Sequence, residues 1–157
     1  MAIEIERKFI VLNSQYKVLA VPHTIKQGYI CSEKERVVRI RTYDNKGFIT
    51  LKTASIGFAR KEFEYSIPLD EAQAMLEELC LQPIITKTRW VMNFEGHIWE
   101  IDEFHDENTG LVMAEIELEH SDETFLKPEF IGQEVTDDPR YYNARLFSTP
   151  YKKWKKQ

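Results

Sequence analysis

Cysteine, surplus positive charge and long apolar runs are all in short supply in this chain, and each shortage excludes something. Cys31 and Cys80 are the only cysteines among 157 residues, too few for a disulfide framework and wrongly spaced for zinc. A reducing, cytoplasmic setting is the expectation. His23, His97, His105 and His120 fall at no metal-binding interval and read as surface or packing histidines. No apolar run nears the ~20 residues of a membrane-spanning helix, and a strand pattern follows Met1 directly, so neither signal peptide nor membrane contact is expected. A net charge of -5 argues against wholesale nucleic-acid binding, whose affinity comes from surplus lysine and arginine. The basic tail at 152–156, Lys-Lys-Trp-Lys-Lys, reads as a solvated terminus. Repeats, low-complexity segments and linkers are missing too. With 43% hydrophobic residues, the chain suits one domain over 1–157 with its own core.

What the chain has is period-two patterning. Strands are expected at 3–11, 24–31, 36–43, 48–52, 60–67, 84–94, 97–104 and 111–119. Asp44-Asn45-Lys46-Gly47 and Glu95-Gly96 mark hairpin turns. A stubby helix is expected near 14–20, capped by Asn13 or Ser14. A second is expected at 71–81, with Asp70 as its cap and Ala72, Met75, Leu76 and Leu79 as an apolar stripe. A third is expected around 139–148, started by Asp137 or Asp138 with Pro139 at its first position. Gly28 reads as a site of strand curvature or a bulge. The fold class is α+β, mainly β: eight antiparallel strands that can close into a barrel with no free edge, covered by two or three helices.

Side chains two apart on a strand share a face. Glu4, Glu6 and Lys8 therefore share one, as do Arg39 and Arg41, Glu62 and Glu64, Lys87 and Arg89, Glu100 and Asp102, and Glu115, Glu117 and Glu119; Lys52 shares a face with Thr50. The opposite faces are largely apolar. For any single strand the ordinary reading is a solvated face. Three features together point inward instead. The positions are nearly all ionisable, the signs come in blocks by strand, and the cations are rich in arginine, which suits bidentate recognition of phosphate. Buried charge is tolerable only when paired. A polyphosphate accompanied by Mg²⁺ or Mn²⁺ fits both sets, because every candidate metal ligand is a hard oxygen. Trp90 and Trp99 fall on the apolar faces and read as packing; Arg60 and Lys61 are additional basic residues, and for Arg60 a solvated place is favoured over a place in the tunnel.

This pattern resembles the CYTH superfamily, the triphosphate tunnel metalloenzymes. The resemblance rests on Glu4-x-Glu6-x-Lys8 followed, in the family's order, by Arg39-x-Arg41, Thr50-Leu51-Lys52, Glu62-Phe63-Glu64, Lys87-Thr88-Arg89, Glu100-Ile101-Asp102 and Glu115-Ile116-Glu117, and it spans roughly residues 3–145. It implies an eight-stranded tunnel holding a triphosphate and one or two divalent metal ions, most like the small bacterial inorganic triphosphatases. Lys8, Arg39, Arg41, Lys52, Lys87 and Arg89 should then bind phosphate. Glu4, Glu6, Glu62, Glu64, Asp102, Glu115 and Glu117 should hold metal, directly or through water. Lys87, grouped with Lys8 as catalytic, is the expected base. Class IV adenylate cyclase, nucleoside or thiamine triphosphatase and a non-catalytic polyphosphate-binding module are the alternatives. Family habit implies a homodimer and a C-terminal helix closing one end of the tunnel; Tyr141 and Tyr142 read as parts of that helix rather than substrate contacts.

Overall fold

The computed structural model describes residues 2–57, 59–146 and 149–154. Its strands are β1 (Ala2–Val11), β2 (Val21–Glu33), β3 (Arg36–Tyr43), β4 (Lys46–Thr53), β5 (Ala59–Ile67), β6 (Ile85–Phe94), β7 (His97–Phe104), β8 (Val112–Glu117) and β9 (Ile131–Glu134). They pair in the order β5-β4-β3-β2-β6-β7-β8-β1, and a further β5–β1 pairing closes the ring. Every pairing around the ring is antiparallel. The expected closed barrel is therefore present. β9, which the sequence reading did not anticipate, runs antiparallel along β1. Both hairpins form where expected. Between β6 and β7, Glu95 and Gly96 both have positive φ, at 49° and 83°, the backbone that lets a two-residue turn follow the right-handed twist of its strands.

The barrel is apolar on its outside. On one flank the short helix α1 (Tyr16–Leu19) buries Tyr16, and the segment after β8 brings in Phe130; both pack with Ile5, Phe9, Trp99, Ile101 and Ile116. Each such side chain contributes about 1.5–3 kcal/mol when fully buried, and this outer packing supports the cost of lining the inside with ions. On the other flank α2 (Leu69–Glu78) sets Ala72 and Leu76 on Ile40, joined by Cys80. Two glycines allow that approach. A Cβ at Gly28 would lie 2.8 Å from Cys80 Cβ, and one at Gly47 would lie 2.8 Å from Ala72 Cβ. Gly28 thus serves close packing of the helix end, with a register shift nearby between Tyr29 and Cys31.

Helix boundaries differ in detail from expectation. α2 starts two residues early, with Pro68 at its cap and the Pro68 carbonyl accepting from Ala72 N at 3.0 Å. Asp70 lies inside the first turn, where its Oδ1 accepts from Glu71 N at 3.0 Å. The stripe is narrower too: Leu79 is 60% exposed, beyond the helix's last turn. Neither Asn13 nor Ser14 is the cap of α1, which is Gln15, although Asn13 Oδ1 accepts from Gln15 N at 3.0 Å. Near the C-terminus, Asp138 accepts from Arg140 N and Pro139 opens a single 3-10 turn; α3 (Asn143–Leu146) follows. Positions 147, 148, 155 and 156 of the expected C-terminal features lie outside the described residues. Among the described residues no helix is long and apolar enough to cross a membrane.

The interior has a floor. Val37, Ile85, Phe104 and Met113 share strand parity with Arg39, Lys87, Asp102 and Glu115, so they point inward. Together with Tyr29, Leu111 and Leu146 of α3 they form a buried apolar cluster at one end of the barrel. A plug of carbon thus closes one end, and ions line the rest.

Candidate active site

The ionisable residues sort by strand into two arcs of wall. β4, β3 and β6 contribute Lys52, Arg39, Arg41, Lys87 and Arg89, with the neutral β2 between β3 and β6. The adjoining strands β7, β8, β1 and β5 contribute Glu100, Glu115, Glu117, Glu4, Glu6, Glu62 and Glu64, with Lys8 and Arg60 as the two cations on that side. These residues enclose a cavity of about 340 Å³. Of the residues singled out from sequence, Glu4, Glu6, Lys8, Arg39, Arg41, Lys52, Glu62, Glu64, Lys87, Arg89, Glu115 and Glu117 all line it.

Asp102 sits behind the wall. It is 1% exposed, accepts from Arg89 Nε and Nη2 at 2.8 and 2.9 Å, and lies 2.7 Å from Lys87 Nζ. Burial would raise its carboxyl, but Arg89 and Lys87 outweigh burial and hold it below the ordinary range. Its neighbour in register on the same face, Glu100, is the β7 carboxylate that reaches the cavity.

Of the remaining pairs, those of Lys52 bridge the two arcs and those of Lys8 stay within the acidic one. Lys52 Nζ lies 2.9 Å from Glu4 and 3.5 Å from Glu62. Lys8 Nζ lies 2.9 Å from Glu115 and 3.0 Å from Glu6. Burial disfavours the Lys8 ammonium, yet Glu115 and Glu6 overcome it, raise its pKa and keep it charged. Glu6 is likewise raised by burial but brought below its usual value by Lys8. Arg39, Arg41 and Arg60 are less fully engaged than Arg89. Arg39 and Arg41 approach Glu64 only to 3.7 and 3.6 Å, and the Nε atoms of Arg39, Arg41 and Arg60 are buried without a partner. Buried donors are normally satisfied, so three unspent guanidinium donors beside one cavity mark a place for an anion's oxygens. Burial, with Arg39 and Arg89 beside it, lowers Arg41 to about 10, as expected where cations crowd without their anion.

The acidic arc shows the converse. Burial and the carboxylates of Glu4, Glu6, Glu100 and Glu62 push Glu117 up to about 7. Burial also raises Glu4 and Glu100. Such a concentration of hard oxygen donors fits a hard divalent cation, and Glu4, Glu6, Glu62, Glu100 and Glu117 are the lining carboxylates that could hold one. Among the described residues no three acidic groups already converge as a finished ligand set; most are turned toward a cation within reach.

Lys87 is set apart from Lys8. It is 1% exposed, and burial together with Arg89 lowers it to about 8 against the opposing pull of Asp102. Residues that the sequence reading set aside also line the cavity: Arg60 and Tyr142, read as solvated and as helix packing, and Tyr29, Thr136, Asp137 and Asn143. Arg60 shares the parity of Glu62 and Glu64, so the period-two test had the signal for it. Thr136, Asp137, Tyr142 and Asn143 lie beyond the regular strands, where no periodicity points.

Fold and lining define an inverted antiparallel barrel, apolar outside and ionisable inside, closed at one end. The chain belongs to the CYTH domain family, whose model matches residues 2–142. It is 50% identical over 155 residues to an inorganic triphosphatase of Acetivibrio thermocellus, covering 99% of both chains. It is 32% identical over 148 residues to an inorganic triphosphatase of Nitrosomonas europaea, covering 91% of this chain and 95% of that one. Among solved structures, the inorganic triphosphatase NE1496 superposes with a TM-score of 0.67 at 29% identity, covering 94% of this chain and 95% of the other.

Proposed function

We propose that this protein is a divalent-metal-dependent inorganic triphosphatase that hydrolyses tripolyphosphate to diphosphate and phosphate inside the barrel. The observation that carries this reading is the division of the cavity wall into a cationic arc with unspent guanidinium donors and a carboxylate arc with a raised glutamate. An anion alone would satisfy only the first.

In this reading Arg39, Arg41, Arg60, Lys52, Lys8 and Arg89 bind the phosphate oxygens and neutralise charge that develops as the bond breaks. Glu4, Glu6, Glu62, Glu100 and Glu117 hold Mg²⁺ or Mn²⁺, with Glu64 and Glu115 engaged mainly by cations. Bound metal supplies charge neutralisation and activates water. Asp102 is reassigned from metal ligand to the group that holds Arg89 and Lys87 in place. Water attacks a terminal phosphorus, the bond to the bridging oxygen breaks, diphosphate leaves, and the water's proton passes to Lys87 Nζ. A pKa of about 8 leaves about a tenth of Lys87 neutral at pH 7 and places it near the operating pH, as general-base catalysis favours. Lys8, held charged, is a phosphate ligand and not a proton acceptor.

Tyr29 and Tyr142 are the aromatics of the lining. The likeness to two relatives named inorganic triphosphatase supports the inorganic substrate over nucleotide cyclisation. The cytoplasmic setting goes with the same reading, as does the homodimer, which sedimentation tests. The deciding experiment is phosphate release from tripolyphosphate, ATP and thiamine triphosphate with Mg²⁺, Mn²⁺ or EDTA, with cyclic AMP measured in the ATP samples. Metal-dependent preference for tripolyphosphate is expected. Cyclic AMP as the main product would make the protein a cyclase, and binding without turnover would make it a polyphosphate-binding module.

A further inference from the structure

The C-terminal helix does more than close the barrel. Asn143, the first residue of α3, places its Oδ1 2.9 Å from Lys87 Nζ, and the same oxygen accepts from Gln27 Nε2 at 3.2 Å. As an ammonium Lys87 only donates, so it is the amide oxygen, not the NH₂, that faces it. Gln27 is fully buried. It turns Nε2 toward Asn143 and toward Tyr29 Oη at 3.2 Å, and this leaves its own Oε1 buried without a partner. A flipped Gln27 would relieve that orphan oxygen but set it against Asn143 Oδ1. The arrangement favours Asn143 at a local cost, and Leu146, fully buried one turn on, anchors the helix that carries it.

The consequence falls on the amine. Lys87 has two fixed neighbours, Asp102 Oδ2 at 2.7 Å and Asn143 Oδ1 at 2.9 Å, and both are acceptors. A neutral amine has two N–H bonds and one lone pair. If both N–H bonds are taken by these acceptors, the lone pair is left to face the cavity that Lys87 lines. With Asp102 alone, the amine rotates about its terminal C–N bond and the lone pair has no fixed direction. We propose that Asn143 is a positioning residue of the reaction: its side-chain oxygen, delivered by the C-terminal helix, orients the Lys87 amine toward the substrate. This rests on the triphosphatase reading for its kinetic effect, while the orientation itself does not.

The test uses the full chain with Asn143→Leu, which keeps the volume and removes the acceptor, and Asn143→Asp, which restores an acceptor oxygen. In the unliganded protein, the order of the Lys87 Nζ group is read by ¹⁵N side-chain relaxation. Increased mobility in Asn143→Leu with recovery in Asn143→Asp is expected; unchanged mobility in Asn143→Leu overturns the proposal whether or not the protein hydrolyses tripolyphosphate. In turnover, Asn143→Leu should lower kcat at least about tenfold with KM within about threefold. In a Lys87→Met background it should have little further effect, because its influence runs through that amine. A loss of kcat just as large in the Lys87→Met background would make Asn143 only part of the plug. If the wild type releases no phosphate from tripolyphosphate, the triphosphatase reading fails, and the relaxation measurement alone judges the positioning.

Discussion

Arg89 grips Asp102 with two parallel hydrogen bonds, Nε to Oδ1 at 2.8 Å and Nη2 to Oδ2 at 2.9 Å, while Lys87 shares the same carboxylate from the other side. One buried anion thus organises two cations of the wall. Asp102→Asn removes the charge both depend on and leaves them uncompensated in the interior. The expected loss is about 3–5 kcal/mol of stability, the usual size for breaking a buried pair, read by denaturant unfolding. Metal affinity, titrated on the variant where it remains folded, should change far less than in Glu117→Gln. Equal losses of metal binding in the two variants would return Asp102 to the metal set.

Glu117 sets the pH response of the metal-free protein. Its folded pKa, about 7, stands above the ordinary carboxylate value. Its contribution to stability is therefore fully present below the unfolded pKa and lost as pH rises through about 7. Metal-free wild type should melt at a lower temperature at pH 8 than at pH 5.5, after allowance for the rest of the titration curve by comparison with Glu117→Gln. That variant should flatten this part of the profile, raise the Tm at pH 8 and weaken metal binding. An unchanged pH profile in the variant would show that the carboxylates do not crowd as the geometry indicates.

Lys87 should govern an alkaline-rising limb. Its amine must lose a proton to act as a base, so kcat/KM for tripolyphosphate, which reports the free enzyme, should rise with pH through about 8. Lys87→Ala should abolish that limb and lower kcat by about 10²–10⁴, the usual range for general-base catalysis. A variant that raises KM but keeps kcat at saturation would make Lys87 a binding residue only.

Arg60 tests the enlarged cationic set. With a buried Nε lacking a partner and a place on the cavity wall, it should contribute to substrate affinity. Arg60→Ala is expected to raise KM for tripolyphosphate about tenfold, on the order of one charge-assisted hydrogen bond, measured by steady-state kinetics at fixed metal concentration. An unchanged KM would return it to the solvent.

Leu146 tests the floor. It is fully buried against Tyr29, Val37, Ile85, Phe104 and Met113. Leu146→Ala should cost about 2–4 kcal/mol, read as a lowered midpoint in urea.

The strands and the inward set were legible because a two-residue period is written locally: each of β1, β3, β5, β6, β7 and β8 carries it in its own few residues. The choice between Glu100 and Asp102 was not, since both have the right parity and only the depth of Arg89 decides which is engaged behind the wall. Arg60 was misjudged on exposure, which depends on how the ring closes at β5–β1. Asn143 and Tyr142 reach the cavity from an irregular segment placed by Leu146, a contact between residues far apart in sequence. β9 is four residues long, Ile-Gly-Gln-Glu, with too little alternation to announce itself, and it is held by pairing with β1.

The inverted barrel gives each strand two vocabularies. One alternate set of side chains holds the molecule together from outside, and the other meets whatever enters it. Substrate preference can therefore drift along the inner set while the outer set stays fixed, with no loop rebuilt. The same interleaving makes the strands intolerant of indels. Inserting or deleting one residue within β3 or β6 would present carbon to the tunnel and arginine to the helices at once, so foldedness and chemistry would vanish in a single step.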